Sequence, residues 1–163
     1  ESLCSGNAEV LEETFIGKDH NVKMTTLSCA GGSSLVSSRR SLLERQTTTP
    51  LNVCGAKCNT NCFLPAGGGP DPNDCHVITD ALKFEAQNTG AIFVIPNGNS
   101  TVSLFLMFSS CKTFFLNQDL GPLAYCRTDW VRFTRRVLAF NCQATQNAHG
   151  GNCVAADQRW FVQ

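Results

Sequence analysis

The sequence predicts an α+β protein: an antiparallel sheet with two helices packed on one face, stapled by disulfides. Three observations predict it. Ten cysteines, an even number, are spread over 163 residues from Cys4 to Cys153. Two strand-like runs around a turn-forming cluster open the chain. From Asp71 onward the local signals run helix, strand, strand, helix, strand. With one strand ahead of them this is a ferredoxin-like order, two helices on one face of an α/β sandwich.

The cysteines bear on compartment. Thiols at this density do not stay unpaired in an oxidising medium and are rare in cytosolic proteins. Cys4, Cys29, Cys54, Cys58, Cys62, Cys75, Cys111, Cys126, Cys142 and Cys153 are therefore expected to form disulfides. The setting is extracellular, with Glu1 expected to follow a removed secretory leader. Roughly nine hundred pairings are possible, and spacing does not choose among them.

The length fits one domain over 1–163, able to bury a sizeable core without disulfides. Apolar residues make up 42% and include eleven Phe, whereas charged residues are only 16%, below the roughly 25% usual in soluble domains. The surface must therefore be rich in Asn, Gln, Ser, Thr and Gly. Thirteen basic and thirteen acidic side chains cancel, so net charge draws in neither nucleic acid nor an anionic membrane. The apolar run Val102 to Phe108 is too short to span a bilayer.

Segment 1–29 reads as a β-hairpin: Glu9 to Ile16, the turn cluster Gly17 to Asn21, and Val22 to Leu27 with Cys29 beyond its end. Segment 30–50 has linker composition, with Arg39-Arg40 as a dibasic site for processing or as two solvated charges. An α+β core follows over 51–163. Cys54, Cys58 and Cys62 read as loop material held by disulfides. Asp71 is a good N-cap, Pro72 suits the first helical position, and Asp74 lies where the helix dipole favours a carboxylate. Cys75, Ile78, Ala81, Leu82 and Ala86 mark one helical face, and Asn88-Thr89-Gly90 ends it.

Ala91 to Ile95 reads as a strand whose hairpin partner, Thr101 to Phe108, follows the Asn97-Gly98 turn. Cys111 to Leu116 extends the sheet. A second helix, with Thr128 as N-cap, carries Trp130, Phe133, Val137 and Phe140 on one stripe, although Leu123 and Cys126 would also suit an earlier start. Residues 143–157 read as a polar tail before a last strand at Arg159 to Val162. Cys75, Cys126 and Cys142 flank the helices, so some bridges should tie helix to sheet or loop.

No catalytic or metal constellation stands out, and no cofactor is expected. His20, His76 and His149 form no metal-binding pair. Cys54-x3-Cys58-x3-Cys62 has the wrong spacing for a zinc knuckle. Gly67-Gly68-Gly69 lacks the Lys-Ser/Thr of a phosphate loop, and no Gly-x-Ser-x-Gly occurs. A small ribonuclease would need one of the three histidines with Arg132, Arg135 or Arg159, and nothing in their spacing requires it. Asn99-Ser100-Thr101 is an N-glycosylation sequon at a turn, where exposure favours occupancy of Asn99.

Four stretches carry a resemblance. Cys54-Gly55-Ala56-Lys57-Cys58-Asn59-Thr60-Asn61-Cys62, Pro72 to Ile78, Tyr125-Cys126-Arg127-Thr128-Asp129-Trp130 and Asn141 to Cys153 resemble small secreted proteins of basidiomycete fungi. That group includes the small subunit of heterodimeric laccases. The resemblance covers Leu3 to Gln163 and implies a non-catalytic partner that binds and stabilises a laccase large subunit. The chain has no His-x-His pair of the kind multicopper sites use, so it is not expected to be the oxidase. A weaker likeness, to fungal killer toxins and cysteine-rich effectors, rests on Asp74-Cys75-x2-Ile78 and the helix–strand order alone.

Overall fold

A computed structural model describes residues 7–29, 49–63, 67–96, 102–135, 141–142 and 148–163. Cys4, the 30–48 stretch, Asn99, Val137 and Phe140 lie outside the described residues. The chain is α+β, with the elements β1 (Ala8–Ile16), β2 (Val22–Cys29), β3 (Leu51–Asn52), β4 (Cys58–Cys62), α1 (Pro72–Asn88), β5 (Ile92–Ile95), β6 (Val102–Phe108), β7 (Cys111–Asn117), β8 (Leu123–Cys126), α2 (Arg127–Phe133), β9 (Gly151–Ala155) and β10 (Trp160–Val162). A seven-stranded antiparallel sheet runs β1-β2-β6-β7-β10-β9-β4, and a three-stranded sheet runs β3-β8-β5 with β3 parallel to β8. Among the described residues, ten strands in two sheets do not reproduce the ferredoxin-like order that the local signals suggest.

The first hairpin forms as its sequence predicts, with Ile16 opposite Val22, and β2 continues through Cys29. Its turn closes on His20 N–H donating to the Gly17 carbonyl at 3.1 Å. Gly17 has φ +90°, and a Cβ there would lie 2.8 Å from the Ala81 Cβ, so only glycine lets the turn dock on α1. The hairpin is no appendage: β2 pairs along its other edge with β6 from Lys23↔Met107 to Ser28↔Val102.

Helix α1 begins as expected, with the Asp71 carboxylate accepting from Asn73 N–H at 2.8 Å. Asp74 has a more specific partner than the helix dipole. Its carboxylate accepts from the Ser110 hydroxyl at 2.6 Å and from Ser110 N–H at 3.0 Å. The same hydroxyl accepts from Asp71 N–H. Ser110 lies in the two-residue turn that joins β6 to β7, and the adjacent Cys111 is bonded to Cys75 of α1. At the other end of the helix, Glu85 accepts from Gly17 N–H at 3.2 Å. Both ends of α1 are thus tied to the large sheet, and Cys75, Ile78, Thr79, Ala81 and Leu82 form its buried stripe.

The Asn97-Gly98 hairpin does not form between the strands that flank it. β5 pairs with β8, and β6 pairs with β2 and β7. β6 is paired along both edges, and those longer ladders override the local turn signal. Leu123–Cys126 is strand and α2 starts at Arg127 with Cys126 as N-cap, so the stripe shared by Leu123, Cys126 and Trp130 is not one helix. Two further strands replace expected loops: β4 in the cysteine cluster and β9 in the polar tail, paired antiparallel from Cys58↔Ala155 to Cys62↔Gly151.

Aromatic rings join the layers. Phe115 of β7 stacks on Trp160 of β10 at 5.5 Å and lies 4.7 Å from Tyr125 of β8. Phe93 of β5 approaches Trp130 of α2 at 5.6 Å and Tyr125 at 6.1 Å. The buried Trp130 indole N–H donates to the Thr113 hydroxyl at 2.8 Å, which donates to the Gln163 carbonyl at 2.7 Å. Asn117, also buried, donates to the Gly121 carbonyl and accepts from Asp119 N–H. On the opposite face of the large sheet, Phe114, Leu116 and Phe161 make a second buried cluster with Val154.

Four disulfides lie wholly within the described residues: Cys54–Cys126, Cys58–Cys153, Cys62–Cys142 and Cys75–Cys111. Cys29 is disulfide-bonded as well. The bridges span 36 to 95 residues, a range in which each commonly adds about 2–4 kcal/mol by restricting the unfolded chain.

Two outcomes test this account. Thr113→Val should leave the Trp130 indole N–H buried without an acceptor and cost about 1–3 kcal/mol in urea unfolding, with Thr113→Ser close to wild type. Hydrogen bonds from the Ser110 hydroxyl, then its N–H, hold the Asp74 carboxyl below its ordinary 3.8. The stability this contributes is present above the unfolded-chain value and is lost as pH falls through the lowered native one. Melting temperatures of Ser110→Ala measured from neutrality down through pH 4 to pH 2 should therefore fall less than those of wild type.

Candidate functional site

The sequence signals that place Phe15 on β1, Glu85 on α1, Phe93 on β5 and Arg127 at the start of α2 are separate in the chain. The fold brings these four side chains around one cleft of ≈ 320 Å³ between the hairpin, the helix and the small sheet. Leu82, Leu106 and Trp130 contribute its apolar lining.

Two charged groups serve the cleft's frame. The Arg127 guanidinium donates through Nη1 to the Gly90 carbonyl at 2.7 Å and the Ile92 carbonyl at 3.2 Å. It also lies 5.2 Å from the Phe93 ring centroid, a cation–π distance. Burial lowers its pKa and the nearby Glu85 raises it; a guanidinium stays charged in either case. Glu85 accepts from Gly17 N–H and, through its other oxygen, from the Thr89 hydroxyl at 3.2 Å. Burial, then the Asp129 charge, pushes the Tyr125 phenol well above its usual range, so it is a neutral core group at physiological pH.

Exposed apolar side chains collect on two outer strands. Phe15 is 52% exposed on β1, the outermost strand of the large sheet, and Val94 is 53% exposed on β5, an outer strand of the small one. Val10 and Leu11 on β1 and Ile92 on β5 are also about half exposed. Five of the seven exposed large apolar side chains among the described residues therefore lie on these two strands; Leu51 and Leu120 are the others. Single exposed apolar side chains are ordinary, but groups on two outer strands have the character of contact surfaces. Of the five, Phe15 lines the cleft, while Ile92 and Val94 alternate with Phe93 and face the other side of the small sheet.

The three histidines are not brought to the cleft. His20 sits exposed in the hairpin turn, His76 is half-buried on α1, and His149 is exposed with its ring 5.7 Å from Phe63. Arg132 pairs with Asp129, and Arg159 pairs with Asp157 and Asp119. Glu13 on β1 forms an ion pair with Lys23 at 2.9 Å. Cys54, Cys58 and Cys62 are each bonded to a different cysteine, and among the described residues no cluster of three metal-ligating side chains occurs. Sequence reasoning missed Phe15, Glu85, Phe93 and Arg127 as a set. The one local hint is the broken alternation of β1, with Val10 beside Leu11 and Glu12 beside Glu13.

No protein-family model, no curated protein and no solved structure matches this chain.

Arg127 should hold β5 in place rather than stabilise the whole fold. Arg127→Met keeps the apolar stem but leaves the Gly90 and Ile92 carbonyls without their donor. Amide exchange over Ile92–Ile95 should quicken by about tenfold, the equivalent of roughly 1.4 kcal/mol, with the large sheet unchanged.

Proposed function

We propose that this chain is a secreted, non-catalytic accessory subunit that binds and stabilises a secreted laccase. The observation that carries a binding role is the set of exposed apolar side chains on the outer strands β1 and β5, of which Phe15 borders a cleft lined by core side chains. Disulfides that link distant elements suit an extracellular protein. No helix among the described residues is long and apolar enough to cross a membrane. The choice of partner rests on the resemblance carried by Cys54 to Cys62, Pro72 to Ile78, Tyr125 to Trp130 and Asn141 to Cys153.

A stabilising subunit needs a rigid surface that loses little entropy on docking. Here the edge strands that present the apolar side chains are continuous with a core tied by rings and disulfides. The partner would gain by mass action, since whatever binds only its folded form raises its resistance to unfolding.

Co-secretion with a laccase large subunit tests the proposal. The two chains should co-elute in size exclusion, and the oxidase should inactivate more slowly on heating. Phe15→Asp with Val94→Asp should weaken the complex by about tenfold or more while the chain's own melting temperature stays within a few degrees. A chain that elutes alone and leaves the oxidase's thermal half-life unchanged would overturn it.

A further inference from the structure

Strand β1 has the properties of an edge built to be paired. It ends the seven-stranded sheet, runs for nine residues and, among the described residues, is bonded to β2 along one side only. Seven of the nine are exposed; only Thr14 is half-buried and Ile16 buried. Isolated edges are normally blunted by short length, by charged side chains or proline, by bulges, or by a covering element. β1 has neither lysine nor proline, and its three glutamates would oppose a like strand but not a basic one. Its one irregularity is the bulge at Leu11, between Val10 and Glu12, after which Glu12 to Ile16 pair with β2 in unbroken register.

The side chains along the edge say what would fit there. Val10, Leu11 and Phe15 are about half exposed, offering apolar contact on an incoming strand. Three glutamates, Glu9, Glu12 and Glu13, lie on the same strand. Glu13 is held by Lys23, while Glu9 and Glu12 have no ion pair among the described residues. Two copies of β1 side by side would set these carboxylates against one another, and like charges across paired strands are destabilising. A strand bearing lysine or arginine between apolar residues has the complementary pattern.

We propose that β1 receives an extended, basic and apolar segment of the partner protein, which adds to the large sheet as an eighth strand. Backbone hydrogen bonds to the open side of β1 supply the affinity, and the carboxylates with Val10, Leu11 and Phe15 select the segment. Phe15 also borders the cleft, so the added strand would run to its mouth. This rests on the accessory-subunit reading and names the surface it uses.

The test uses the full chain and a laccase large subunit, with hydrogen exchange and a binding titration at two salt concentrations. Complex formation should slow exchange in β1. Glu9→Lys with Glu12→Lys, both at exposed positions, should weaken binding by about tenfold and reduce its dependence on salt, without lowering the melting temperature. A complex that forms with β1 exchange unchanged and with the lysine variant within about twofold of wild type would overturn this inference and leave the accessory role standing. A concentration-dependent dimer with protected β1 in the absence of oxidase would overturn it in favour of self-pairing. Absence of any complex would defeat both.

Discussion

The packing of Phe115 against Trp160, Tyr125 and Phe93 is the contact on which the two sheets depend. Without it the three-stranded sheet would have little to bury, because β3 is two residues long and β5 and β8 four each. Large rings stabilise by area, about 1.5–3 kcal/mol for a fully buried phenylalanine side chain. They also impose geometry, since ring edges and faces meet best at set angles. Trp130 extends the cluster into α2, and its indole N–H is satisfied through Thr113 by the Gln163 carbonyl. A burial of this size would be costly if that donor had no acceptor.

Helix α1 shows a second constraint, that of position. Its apolar stripe would allow it to slide along the sheet, but its ends do not. Ser110 and the Cys75–Cys111 bridge hold the first turn, and the contact between Glu85 and Gly17 holds the last. Because the helix cannot shift, the cleft beside it has a defined width, and Phe15 and Arg127 face it from opposite elements. The binding surface is thus a consequence of how the core is locked. The disulfides act further out: Cys54, Cys58 and Cys62 reach α2's N-cap, β9 and the residue Cys142 beyond α2.

Much of the architecture was legible where local chemistry agreed with global packing. The first hairpin followed from its turn cluster, and α1 from Asp71, Pro72 and the apolar stripe. Local signals misled where two elements compete for the same residues. Asn97-Gly98 favours a hairpin, yet β6 gains more from β2 and β7 on either side than from β5. Leu123, Cys126 and Trp130 share a helical spacing, yet Tyr125 pairs with Phe93 in a sheet. β4 and β9 looked like loops because Asn59, Asn61 and Asn152 carry little strand preference; β9 is a strand because it pairs with β10 and β4, and β4 because it pairs with β9.

By itself, the sequence determined the α+β class, the hairpin, the first helix and the disulfide-rich character, since these rest on spacing, capping and composition over short stretches. Only the tertiary structure decided which cysteines are joined, how the described strands divide between two sheets, and that Phe15, Glu85, Phe93 and Arg127 share one cleft. The reason is the range of the interactions. Caps and turns are settled within a few residues, whereas disulfide partners and strand neighbours are chosen by rings and backbones that meet from tens of residues apart.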